Sequence, residues 1–174
     1  STKKFLKICG IRTVEEALFC EDIGIDFIGL NFVPTSKRKI AITEAQKICN
    51  QVKNIKKVGI FQNQLLEKVN RLIKKLQLDY VQLCGDESIN YIQKCHAPVI
   101  KTVPVKTVKD IQQAKKLYHH VKFLFFDGPK PGSGQSFNLK TIKKFPYPYF
   151  IAGGVNENNM NKILMIFAGL ILFL

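Results

Sequence analysis

The sequence predicts an α/β fold, a closed (β/α)8 barrel with its eighth unit incomplete, and three observations carry that expectation. Strand-like and helix-like segments alternate along the chain, which points to a parallel sheet covered by helices. The units recur at roughly 20 to 25 residues. No Gly-rich dinucleotide fingerprint follows the first strand, so seven or eight units in series favour a barrel over a doubly wound sheet.

The first strand is expected over 5–9 (FLKIC), an apolar run that stops at Gly10. Thr13 can N-cap the next helix and Glu16 completes a capping box, with Gly24 as its C-cap. A second strand spans 26–32 (DFIGLNF) and leads into the loop 33–38, and Thr43 starts a helix to about residue 52. Strands follow at 57–62 and 79–83, with a helix of apolar periodicity at 65–76 between them and another near 89–95. A strand at 98–103, a helix at 108–119 and a strand at 122–127 complete the sixth unit. A glycine-rich loop (128–136) then precedes a helix near 139–144, a strand at 149–152 and a helix from Asn156. The twelve residues from Ile163 to Leu174 are all apolar or glycine. A membrane-spanning helix needs about twenty, so a buried helix end plus a strand is expected. One barrel domain over 1–174 is the reading.

The bulk numbers narrow the class. With 174 residues, 46% hydrophobic and 23% charged, the chain is globular. The net charge of +14 raises nucleic acid as a partner. Only Arg12, Arg38 and Arg71 are arginines, however, and the lysines are scattered without a basic block. Arginine is the preferred residue for bidentate base and phosphate recognition, so the charge reads as a lysine-rich solvated surface and no nucleic-acid partner is expected. The five cysteines, Cys9, Cys20, Cys49, Cys84 and Cys95, have no CxxC spacing, which argues for reduced thiols in a cytoplasmic protein without a zinc site. The opening residues carry no apolar segment, so neither a secretory signal nor membrane association is expected.

Two strands end on proton-transfer residues. Cys9 closes the first and Asp127 the sixth, and in parallel α/β folds the carboxyl ends of the strands are where chemistry is assembled. Against this stands the plain reading of a strand-end cysteine as a small buried hydrophobe. A free cysteine titrates near about 8.5, so a thiol acting as a base needs a local positive field. An aspartic acid acting as an acid near neutrality needs its protonated form favoured by about 4 kcal/mol. Gly153-Gly154, between an apolar strand and a helix start, offers bare N–H groups to an anion; a plain turn is the competing reading. Arg38 projects from a loop over the barrel mouth. His96, His119 and His120 lie away from strand ends and are not expected to act.

Taken together, the segments resemble the phosphoribosylanthranilate isomerase family. The matching motifs are Lys7-Ile8-Cys9-Gly10-Ile11, Ile28-Gly29-Leu30-Asn31-Phe32 with Pro34, Ser36 and Arg38, and Val58-Gly59-Ile60-Phe61-Gln62-Asn63. They continue with Val81-Gln82-Leu83-Cys84-Gly85-Asp86-Glu87, then Asp127 with Gly132-Ser133-Gly134, then Ala152-Gly153-Gly154-Val155-Asn156. Six motifs in register make the likeness specific over about residues 4 to 160. It implies a (β/α)8 barrel that performs an Amadori rearrangement of N-(5′-phosphoribosyl)anthranilate without metal or organic cofactor. By the resemblance Cys9 is the general base at C2′ of the ribose and Asp127 the general acid at the ring oxygen. Arg38 meets the anthranilate end, Gln82 and Cys84 line the substrate, and Gly153 and Gly154 cradle the phosphate. A phosphorylated small molecule is the expected partner, with a monomer or weak homodimer as the assembly.

Three departures accompany the likeness. Cys84 replaces the family's histidine, and a thiol reproduces neither the stacking nor the two-nitrogen hydrogen bonding of the ring. Gln135 stands where a lysine is usual. After about residue 162 the sequence runs as a truncation or frameshift would leave it, with no Ser-Ser-Gly. The expectation is therefore an uncovered eighth strand or an open barrel, and a catalytically impaired remnant or a non-catalytic sugar-phosphate-binding barrel is the competing functional reading.

Overall fold

The computed structural model describes residues 5–130, 142, 145–153 and 170–173. Eight parallel strands close into a barrel in sequence order: β1 Leu6–Cys9, β2 Phe27–Asn31, β3 Lys56–Phe61, β4 Tyr80–Leu83, β5 Val99–Pro104, β6 Phe123–Asp127, β7 Tyr149–Ile151 and β8 Leu170–Phe173. β8 pairs with β7 on one side and with β1 on the other. The apolar run at the end of the sequence thus supplies the strand that closes the sheet, and the open-barrel alternative is excluded. Helices α1 Val14–Asp22, α2 Ile42–Gln51, α3 Leu66–Leu76, α4 Ile89–Gln93 and α5 Val108–Ala114 connect successive strands. The helices expected near 139–144 and from Asn156, and most of the glycine-rich loop, lie outside the described residues.

Local signals act as the sequence predicts at α1. The Glu16 backbone N–H donates to Thr13 Oγ1 (3.1 Å) and the Thr13 N–H donates to Glu16 Oε2 (3.2 Å), a complete capping box. The C-cap falls on Ile23, and Gly24 follows at φ 84°. Two boundaries differ. α2 starts at Ile42 behind Ala41, so Thr43 lies inside the helix rather than capping it. α5 ends at Ala114, because Lys116, Leu117 and His120 donate their N–H groups three residues back, to Gln113, Ala114 and Leu117. This tightens the chain into a 3-10 turn over Tyr118–His120 before β6.

Strand alternation divides the core in two. Ile28, Leu30, Val81 and Leu83 point outward and pack with the helix residues Ala17, Ile48, Val69 and Ile92. Phe27, Val58, Ile100, Phe125 and Phe150 come from five different strands yet contact one another, which places them inside the barrel. Their rings meet edge to face: Phe27 and Phe150 at 5.5 Å between centroids, Phe27 and Tyr80 at 5.6 Å, Phe123 and Phe150 at 5.4 Å. Each fully buried phenylalanine contributes about 1.5–3 kcal/mol. The aromatic plug fills the interior below a polar mouth.

Candidate active site

The inward-facing positions above the plug are polar. Lys7 and Cys9 alternate inward on β1, Gln82 faces inward on β4 with Cys84 just after the strand, and Asp127 stands on β6 above the plug residue Phe125. A cavity of about 450 Å³ opens there, and its described lining includes Cys9, Arg38, Gln82, Cys84, Thr102 and Asp127. Five residues singled out from the sequence therefore converge on one space: Cys9, Arg38, Gln82, Cys84 and Asp127. Gly153 lies two residues beyond β7 at φ 92°, a backbone geometry open to glycine, and is not part of that described lining. Gly154 lies outside the described residues. None of His96, His119 and His120 lines the cavity.

Glycines make room for two of the groups. A Cβ on Gly29, the register partner of Cys9, would stand 2.9 Å from Cys9 Sγ and 2.9 Å from Ile60 Cδ1. Gly10, at φ 78°, lets the Arg38 stem cross its backbone, since a Cβ there would come within 2.9 Å of Arg38 Cδ. The Arg38 N–H donates to Ser36 Oγ at 3.1 Å, which braces the loop after β2. On β6 the Gly128 N–H donates to Asp127 Oδ1 at 2.7 Å.

Lys7 and Lys101 stand apart from the lysine-rich surface expected from composition, being buried at 0% and 6% exposure. The Lys7 ammonium donates to Cys9 Sγ at 2.6 Å and to Gln82 Oε1 at 2.8 Å, and its Nζ lies 5.4 Å from the Phe125 ring centroid. Gln82 Nε2 in turn donates to Thr102 Oγ1 (3.2 Å), whose hydroxyl lies 3.2 Å from Cys84 Sγ. Burial pushes the Cys84 thiol up, against the partly compensating hydrogen bond to Thr102. Cys84 is thus a neutral lining group. Sequence reasoning missed Lys7 and Thr102, although alternation from Cys9 already puts Lys7 on the same face. All five cysteines are free thiols. Among the described residues no group of three His, Cys, Asp or Glu side chains could hold a metal ion. Among the same residues no helix is long and apolar enough to cross a membrane.

Comparison with known proteins gives the same direction as the cavity. Residues 6–172 match the model of the N-(5′-phosphoribosyl)anthranilate (PRA) isomerase family. The N-(5′-phosphoribosyl)anthranilate isomerase of Oceanobacillus iheyensis is 35% identical over 168 residues, covering 92% of this chain and 80% of that relative. The crystal structure of phosphoribosyl anthranilate isomerase from Thermotoga maritima superposes with a TM-score of 0.90 at 29% identity, covering 98% of this chain and 87% of that one. Another crystal structure of the isomerase, in complex with reduced 1-(o-carboxyphenylamino)-1-deoxyribulose 5-phosphate, superposes with a TM-score of 0.86 at 28% identity, covering 97% and 86% of the two chains. With the motif order, the eight-stranded barrel and a family match along nearly its whole length, the chain belongs to the N-(5′-phosphoribosyl)anthranilate isomerase family.

Proposed function

We propose that the chain, as a single barrel domain, isomerises N-(5′-phosphoribosyl)anthranilate to 1-(2-carboxyphenylamino)-1-deoxyribulose 5-phosphate in tryptophan biosynthesis. The observation that carries the reading is the meeting of Cys9 and Asp127 on one cavity, from strands at opposite ends of the sequence. In this reading the Asp127 carboxyl gives its proton to the ribose ring oxygen as the C1′–O bond breaks. The anthranilate nitrogen lone pair becomes the C1′=N bond of a protonated Schiff base. Cys9, as thiolate, then takes the proton from C2′, and the electron pair released forms an enolamine and neutralises the nitrogen. The C2′ hydroxyl loses its proton and C1′ gains one, which yields the ketone. Acid and base act on neighbouring atoms of one sugar, so both must reach it at once, and a shared cavity supports that requirement.

Arg38 over the mouth supplies a cation for the anthranilate carboxylate, and Gln82 and Cys84 form the wall beside the sugar. Gly153 and Gly154 are assigned to the phosphate, where glycine N–H groups suit an anion. The same proposal includes a cytoplasmic enzyme working as a monomer or weak homodimer, with no metal or organic cofactor. The test is loss of substrate fluorescence on addition of folded, monodisperse protein. Turnover should occur, and Asp127→Asn should slow it by at least about a hundredfold with little change in affinity. No turnover by the unaltered chain would favour a barrel that only binds a sugar phosphate. A near-normal rate in Asp127→Asn would remove that residue from the mechanism.

A further inference from the structure

Among the described residues, Lys7 is a charged group on the inner face of the barrel to which the proposed mechanism gives no task. We propose that Lys7 is a positioning residue that holds Cys9 as a preformed thiolate, so that the barrel mouth carries an ammonium–thiolate pair before substrate arrives. This rests on the reading of Cys9 as the base.

The case is geometric. A lysine at 0% exposure has left water at a cost of several kcal/mol unless its charge is compensated. Its contacts are the Cys9 sulfur at 2.6 Å, the Gln82 carbonyl oxygen at 2.8 Å and the Phe125 ring at 5.4 Å. Of these only the sulfur can carry a full negative charge. The set also suits the cation rather than a neutral amine, because two acceptors and a ring face receive a group whose protons point in three directions. Gln82 is fixed in the accepting orientation toward Lys7 by its own donation to Thr102.

The other charged and titratable groups at the mouth divide in sign. Lys37 and Arg38, from the loop after β2, add to the positive field, while Asp127 at the end of β6 opposes it. Cys84, beyond β4, stays a thiol because burial dominates its surroundings, and the charge at Cys9 works in the same direction. The remaining thiols are also disfavoured as thiolates. Burial raises Cys20, and it pushes Cys49 and Cys95 up to about 11 each. Cys9 alone among the described cysteines has a cation in hydrogen-bond contact. The proton it loses passes to solvent before substrate binds. Cys9 later takes the C2′ proton as a thiolate, and Lys7 stays charged throughout, taking no part in the transfer.

The experiment is a titration of ultraviolet thiolate absorbance, taken as the difference between the unaltered protein and Cys9→Ser. It is paired with iodoacetamide alkylation of Cys9 followed by peptide mass spectrometry. Cys9 should be largely thiolate by about pH 7, well below the ~8.5 midpoint of a free thiol. Lys7→Met should slow its alkylation by at least about tenfold near pH 6.5, with the two rates converging near pH 10. A midpoint at or above the free-thiol value, or an unchanged alkylation profile in Lys7→Met, would overturn the pair. Should Lys7→Met not fold, the difference titration of the unaltered protein decides alone. The two readings fail separately: normal turnover in Cys9→Ala removes the base while leaving an early thiolate titration intact. A late titration with turnover lost in Cys9→Ala removes Lys7 and keeps the base.

Discussion

Lys101 and Lys7 are both buried on barrel strands, yet they occupy opposite faces of the sheet and opposite kinds of surroundings. Lys101 points outward from β5, and its ammonium meets Glu87 Oε2 at 3.1 Å and the Leu83 carbonyl at 3.3 Å, with the Gly85 carbonyl as a third acceptor. Glu87 is satisfied as well, accepting from the Asn63 N–H at 2.8 Å and the Gly85 N–H at 3.0 Å. That cluster ties the loops after β3 and β4 to β5. Lys7 points inward and meets a thiol, an amide and a ring, with no carboxylate among its described contacts. A buried cation with a carboxylate and a full set of carbonyls is a structural fastener. One whose described contacts are a sulfur, an amide and a ring at a cavity wall is, under the proposal, arranged for chemistry.

The contrast can be broken most forcefully at the outer cluster. Glu87→Gln leaves Lys101 buried without its counter-charge, and urea unfolding should show a loss of about 3–5 kcal/mol. A loss under about 1 kcal/mol would mean that the pair is not what holds the two loops. Gly29→Ala comes next and acts on the inner side. The added Cβ would crowd Cys9 Sγ, Ile60 Cδ1 and, at 3.1 Å, the Cys9 Cα. Overpacking of this kind costs about 1–3 kcal/mol, and displacement of the sulfur should lower turnover beyond the loss of folded protein. Wild-type turnover per folded molecule would show that the space beside Cys9 is not used. The smallest effect on stability is expected for Lys7→Met, within about 1 kcal/mol of the unaltered protein, because Cys9 can take up a proton and, unlike Lys101 in Glu87→Gln, leaves no unpaired charge buried. A loss as large as that of Glu87→Gln would place Lys7 among the fasteners and erase the distinction.

The same two lysines mark what the sequence could and could not disclose. The family resemblance alone singles out Gln82 and Cys84, whereas alternation, caps and strand-end residues place the barrel, the capping box at Thr13 and Cys9, Arg38 and Asp127 at its mouth. These follow from local periods of two and 3.6 residues and from the rule that barrel chemistry sits at carboxyl ends. Lys7 lies within an apolar run and reads as one more solvated lysine, since composition cannot say that the inner face of β1 carries it. The period-two rule does put it on the side of Cys9, so a signal was present. For Lys101 and Glu87 none was, because their meeting depends on how the loop after β4 folds back over β5. The helix boundaries at α2 and α5 slipped for a related reason. Ala41 begins a helix with no side-chain cap, and three-residue hydrogen bonds end α5 early, choices made by packing rather than by residue type.

The proposed chemistry turns on the sulfur at the end of β1, and substituting it is the most direct trial. Cys9→Ala should fold, bind reduced 1-(o-carboxyphenylamino)-1-deoxyribulose 5-phosphate as tightly as the unaltered chain, and turn over substrate at least about a hundredfold more slowly. Turnover within a few-fold of the unaltered rate would show that another group takes the C2′ proton.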